Sequence, residues 1–82
     1  MNRFIPYRSS IPTAFIDSID EAHSELYQCG WSTGHVVFDG VHQVSGHKQE
    51  AWIVANAPTE LDAWLLACVK ANEQELLWRH RN

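Results

Sequence analysis

Val36-Val37-Phe38-Asp39-Gly40-Val41-His42-Gln43-Val44 places an Asp-Gly pair between two short apolar runs. That arrangement is a strong local signal for a β-hairpin, because a type I′ turn needs positive φ at both central positions. If Phe38 faces Val41 across the turn, Val37 faces His42 and Val36 faces Gln43. Side chains alternate along a strand, so Val36, Phe38, Val41 and Gln43 fall on one face and His35, Val37, His42 and Val44 on the other. A polar stretch, Ser45-Gly46-His47-Lys48, reads as a second turn running through Gly46 to Gln49. The chain then returns as Glu50–Ala55, with Trp52 and Val54 on the first face and Ala51, Ile53 and Ala55 on the second. Both faces of this three-stranded antiparallel sheet come out partly apolar.

Helical periodicity lies on either side. Phe15, Ile19, Ala22, Leu26 and Cys29 recur at alternating steps of four and three, which marks one helix face. The helix is expected from Thr13 or Asp17 to Cys29. Ser18 followed by Glu21 has the form of a capping box, which starts the regular part at Ile19. Gly30 supplies the stop. After Pro58, Thr59 can cap a second helix over residues 59–79, with Glu60 and Asp62 in its first turn. Its expected apolar stripe is Leu61, Trp64, Leu65, Cys68, Val69 and Asn72, extended by Leu76, Leu77 and Trp78, although Leu66, Leu77 and Trp78 do not all fit on one stripe. Residues 1–12, with Pro6 and Pro12, read as an extended lead segment. The fold class is therefore α+β: a single small domain over residues 1–82, in the order helix, sheet (33–55), helix, or αβββα.

Eighty-two residues make one domain whose stability is thin without a disulfide, a metal or a partner chain. Ten acidic residues against six basic ones give a net charge of −4. With the basic residues scattered, no face suits a nucleic acid. No apolar run reaches the length of a membrane span, and residues 1–12 lack the apolar core of a secretory signal. Two cysteines, Cys29 and Cys68, lie far apart with no C-x-x-C pair. The expectation is a cytoplasmic protein with reduced thiols, a disulfide between the helices staying open as an alternative.

The chemistry-bearing residues form no catalytic set. His35 and His42 share a sheet face within reach of one ion, and His47 follows. Zinc needs three or four ligands, and the extra donors weighed, Asp39 and Glu50, do not fall on that face. Cys29 and Cys68 lie on apolar helix stripes, where free cysteine behaves as a small hydrophobe. There is no phosphate loop and no dinucleotide fingerprint. The glycines, including Gly34 and Gly46, are spaced as turn residues. Among the four tryptophans, Trp64 reads as core, Trp31 as core or a cavity wall, and Trp52 and Trp78 as contact residues or as padding of a small core.

Three segments carry a resemblance: Gly40-Val41-His42-Gln43-Val44-Ser45-Gly46, Glu50-Ala51-Trp52-Ile53-Val54-Ala55, and Thr59-Glu60-Leu61-Asp62-Ala63-Trp64-Leu65-Leu66-Ala67. Over residues 30 to about 71 the chain resembles a group of small uncharacterised bacterial proteins carried on integron gene cassettes. Gln49 and Ala57 depart from that pattern where glycine is common, and Leu65-Leu66 replaces a basic pair. The resemblance implies an αβββα fold and a mobile-DNA setting, and no catalytic residues. The element order also looks like the double-stranded RNA-binding domain. Thr59-Glu60-Leu61-Asp62, however, stands where that domain carries a lysine-rich phosphate clamp, and acids there repel phosphate.

The function expected from these features is a protein-interaction module and not an enzyme, with no cofactor and no metal. It self-associates as a homodimer through apolar sheet or C-terminal helix surface, with an unidentified protein partner also conceivable. Candidate contacts are Trp31, Trp52, Leu66, Leu77, Trp78, His35 and His42. The alternative is a binder of a small apolar or cationic ligand in an aromatic-lined pocket between sheet and helices.

Overall fold

The computed structural model describes the backbone of residues 11–81 and the side-chain surroundings as far as Glu75. Most of the lead segment, and the side chains of Leu76, Leu77 and Trp78, therefore lie outside the described residues. A 3-10 turn at Thr13–Phe15 is followed by α1 (Ile19–Gln28), β1 (Ser32–Phe38), β2 (Val41–Lys48), β3 (Ala51–Ala57) and α2 (Glu60–Arg81). The strands form one antiparallel sheet in the order β1-β2-β3. The α+β helix–sheet–helix architecture expected from the sequence is the one observed.

Local devices set the element ends. The Ser18 hydroxyl accepts the Glu21 N–H at 3.1 Å, and Glu21 Oε1 in turn accepts from the Ser18 hydroxyl and the Asp17 N–H, both at 3.2 Å. That reciprocal box opens α1 at Ile19. At its other end Gly30 takes φ 94°. The Trp31 N–H then reaches Leu26 O, and the Gly30 N–H reaches Tyr27 O, which is a Schellman closure. Trp31 and Leu26, the residues this closure brings together, are both buried. The Asp39-Gly40 turn has φ 55° and 77°, as a type I′ hairpin requires. Thr59 Oγ1 accepts the Asp62 N–H at 3.1 Å and caps α2.

Three expectations need correction. The first helix does not run unbroken from Thr13. Backbone geometry turns extended at Ile16 and Ser18, so Phe15 sits in the separate 3-10 turn and is 81% exposed rather than on the helix stripe. The stretch Ser45–Lys48 is strand, not turn. Lys48 pairs with Ala51 across a turn of Gln49 and Glu50, Gln49 taking φ 56°. The loop is shorter than expected by an even number of residues, so every side chain keeps its face. Gly46 lies inside β2, where a Cβ would stand only 3.1 Å from Ser32 O and from Thr33 Cγ2. Gly34, likewise, lies within β1.

The third correction concerns α2. Among the described residues of α2, Ala63, Trp64, Ala67, Cys68 and Ala71 are buried, while Val69 is 40% exposed. The face that packs is rotated toward a row of alanines, which lets the helix backbone approach β2 and β3 closely. Leu61, Leu65 and Leu66 flank that row half-buried, and Leu65 and Leu66 pack against the core. Both helices cover the same sheet face, whose Val44, Ile53 and Ala55 are buried with Leu26 and Trp31. Asn72 ties the end of the lead segment to α2: its Oδ1 accepts from the Ile11 N–H at 2.8 Å and its Nδ2 donates to Ile11 O at 3.0 Å. Both cysteines are buried and neither forms a disulfide.

Because Ala67 is fully buried where α2 meets the core, Ala67→Leu is expected to lower unfolding free energy by about 1–3 kcal/mol. Val69→Ala, on the exposed side, should change it by less than about 0.5 kcal/mol. Urea unfolding of the two variants measures the contrast.

Candidate functional site

The sheet has two unlike faces. Inward lie His35 and Val37 on β1, His42 and Val44 on β2, and Ile53 and Ala55 on β3, by the pairings His35 with Val44, Val37 with His42, and Val44 with Ala55. Outward lie Val36 and Phe38, Val41, Gln43, Ser45 and His47, and Trp52, Val54 and Asn56. Among the described residues no helix covers this outer face. Phe38 is 81% exposed, Trp52 64% and Val36 58%, with Val41 and Val54 close to half exposed. No aspartate, glutamate, lysine or arginine points outward from any of the three strands.

The register arranges the outer face as two oily corners separated by a polar diagonal. Phe38 pairs with Val41, and Val36 stands one outward step along β1, making a corner at the hairpin end. Trp52 and Val54 occupy the opposite corner on β3, paired with His47 and Ser45. His47 lies against the Trp52 ring, centroids 4.9 Å apart. Between the corners Gln43 Nε2 donates to Asn56 Oδ1 at 3.1 Å, satisfying the two amides against each other.

A second grouping lies on the inner face, beneath the start of α2. His35 from β1 and His42 from β2 are diagonal neighbours, with His35 Nε2 3.0 Å from His42 Nδ1. Their planes are parallel within 4° and their centroids 5.2 Å apart. With the nitrogens in hydrogen-bond contact, that spacing means the rings meet edge to edge. Glu60, the first residue of α2, brings Oε2 to 3.4 Å from His35 Nδ1. The same oxygen accepts the Trp64 indole N–H at 3.1 Å. A single tautomer assignment satisfies the whole chain of contacts. His42 donates from Nδ1 to His35 Nε2, and His35 donates from Nδ1 to the Glu60 carboxylate. All three residues are partly buried.

The expected contact residues thus divide. Trp52 stands on the open face. Trp31 is only 4% exposed and belongs to the core, because the Schellman closure turns it inward. Leu66 is half-buried and packs against that core. Trp64 is core, as read from the sequence. His35 and His42 do come together, and Glu60 joins them, a partner the strand register could not reveal. An open depression of about 630 Å³, lined by His23, Tyr27, Trp31 and Thr33 among others, lies where α1 gives way to β1. It sits beside the helix end and not between sheet and helices. Comparison with protein-family models, curated proteins and solved structures finds no match to this chain.

Cys68 is not poised as a nucleophile. Burial, reinforced by Cys29 nearby, pushes the Cys68 thiol up from an ordinary 9.0 to about 12. Its Sγ lies 3.7 Å from Ala22 O. A thiol whose folded pKa lies above its unfolded value holds its proton more firmly in the native chain. The associated stability is present in full below about pH 9 and is lost as pH rises toward about 12. Thermal unfolding across that window should therefore show a fall in midpoint that is smaller in a Cys68→Ala variant. At pH 8 the native thiol should react with a disulfide reagent only as fast as the protein unfolds.

Proposed function

We propose that the chain is a self-associating interaction module whose partner is a second copy, docked outer sheet face to outer sheet face. The observation that carries this is the uncharged outer face with its two diagonal apolar corners. A two-fold axis lying in the plane of such an interface sets the Phe38–Val36–Val41 corner of each copy on the Trp52–Val54 corner of the other. The polar diagonals then meet along the axis. One patch serving both sides in this way is the isologous arrangement of a C2 dimer, and sheets stacked so lie about 10 Å apart.

Charge and area favour the same occupant. Two copies of a chain with net charge −4 repel one another over most of their surfaces. The outer sheet face, lacking charged residues, is where that repulsion is least. Its five large apolar side chains offer on the order of 500 Å² per copy, near the upper range of the largest patch on an ordinary monomer. Two such faces with their polar rims reach about 1,000–1,200 Å², the lower bound for a stable interface. Association of micromolar strength follows, giving a small domain the additional buried surface it needs.

Among the described residues no helix is long and apolar enough to cross a membrane. A bacterial cytoplasm, and the mobile-DNA setting suggested by the cassette-protein resemblance, belong to the same proposal. Two buried cysteines, neither in a disulfide, are in keeping with a reducing compartment.

Sedimentation velocity on the wild type should show a monomer–dimer equilibrium with dissociation constant on the order of 1–100 μM. Phe38→Asp or Trp52→Asp should weaken it at least tenfold while leaving the circular dichroism spectrum unchanged, since both side chains are exposed. A wild type that stays monomeric at several hundred micromolar, or variants that dimerise as before, would refute this function.

A further inference from the structure

A dimer built on the outer face leaves the histidine grouping on the inner face unused. We propose that His35, His42 and Glu60 form a binding site for one divalent transition-metal ion of the zinc class, with the remaining coordination positions taken by water. The inference is independent of whether two copies pair.

Geometry comes first. One donor atom from each of the three residues can be chosen so that all lie within 4.8 Å of one another. The 3.0 Å between His35 Nε2 and His42 Nδ1 is close to the spacing of two neighbouring ligands on one ion. Zinc–nitrogen bonds of about 2.0–2.1 Å place adjacent ligands roughly 3.0–3.4 Å apart. Binding requires the two rings to tilt so that their nitrogens converge on the ion instead of on each other. Both rings are partly exposed, so nothing in the core has to move. His42 gives up its Nδ1 proton and carries one on Nε2 instead, a tautomer change that leaves the ring neutral.

The donor set selects the kind of ion. Two imidazoles and one carboxylate suit zinc, cobalt, nickel or copper, whereas magnesium and calcium prefer oxygen ligands throughout. The Glu60 carboxylate lies close by but faces His35 Nδ1, at 3.4 Å, the ring nitrogen turned away from the ion, so it has to swing toward the Nε2 side and ligate through Oε1. The Trp64 indole N–H holds Glu60 Oε2 at 3.1 Å, the outer contact that metal-binding carboxylates typically have. Trp64 is itself fixed among the buried residues of α2, and the His23 ring meets it edge-on with centroids 5.2 Å apart. The ligands come from two strands of one hairpin and the first turn of α2, so binding would tie that helix end to the sheet. Three protein ligands with open positions also distinguish this arrangement from a closed structural zinc site.

The full chain, freed of metal by a chelator and titrated with zinc chloride alone, should bind one equivalent per chain in calorimetry. The dissociation constant should be about 10 μM or tighter, and the unfolding midpoint should rise with added zinc. Cobalt(II) should broaden the imidazole proton signals of His35 and His42 and leave those of His23 and His47 sharp. His42→Gln and Glu60→Gln should each weaken binding tenfold or more. The cobalt spectrum of the wild type decides the matter even if a variant fails to fold. Absence of saturable binding up to about 100 μM free zinc, or broadening centred on His23, His47 or His80, overturns the proposal, as does wild-type affinity in folded His42→Gln.

Discussion

Both helices pack on one side of a three-stranded sheet, and the rest of the molecule follows from that one-sidedness. The row Ala63, Ala67 and Ala71 lets α2 approach β2 and β3 closely, and α1 packs beside it through Ala22 and Leu26. A two-layer domain closes its core with one sheet face only. What happens to the other face is decided by its side chains. In an ordinary solvated antiparallel sheet that face alternates to polar and charged residues. Here it carries Phe38, Trp52, Val36, Val41 and Val54 and no charged residue, so water is a poor solvent for it.

The same packing creates the inner-face site. The second helix begins over the hairpin end of the sheet, so Glu60 arrives beside His35 while Trp64, one turn later, is buried and donates back to the Glu60 carboxylate. Polar groups half-buried beneath a helix start cost free energy unless they are satisfied. The chain from His42 through His35 to Glu60 satisfies them in sequence. The two candidate surfaces lie on opposite faces of the same strands, and alternate residues of β1 and β2 serve one or the other.

Much of this was legible in the residues because the deciding interactions are local. Asp39-Gly40 announces its positive φ values, Gly30 its helix stop, and Ser18 with Glu21 its cap, each within a few residues of itself. Alternation then fixed both sheet faces, and an error in the length of the second turn did no harm because it was even. What was not legible depends on contact between distant segments. The leucines of α2 suggested a stripe through Val69, but close approach to a sheet favours small side chains, so alanines occupy the centre. Gly46 reads as a turn residue from the sequence alone, yet it lies in a strand where a Cβ would crowd Ser32 and Thr33 on the neighbouring strand. Glu60 read as a helix-start acid, and only the path of the chain from β3 into α2 sets it against His35.

We propose that another copy of the chain covers the outer sheet face. Isotope-filtered nuclear Overhauser spectroscopy on an equimolar mixture of labelled and unlabelled protein observes contacts between copies alone. Cross-peaks are expected from the Trp52 ring of one copy to the Phe38 ring and the Val36 and Val41 methyls of the other. An empty filtered spectrum at millimolar concentration, or cross-peaks arising from the helices instead, would contradict it.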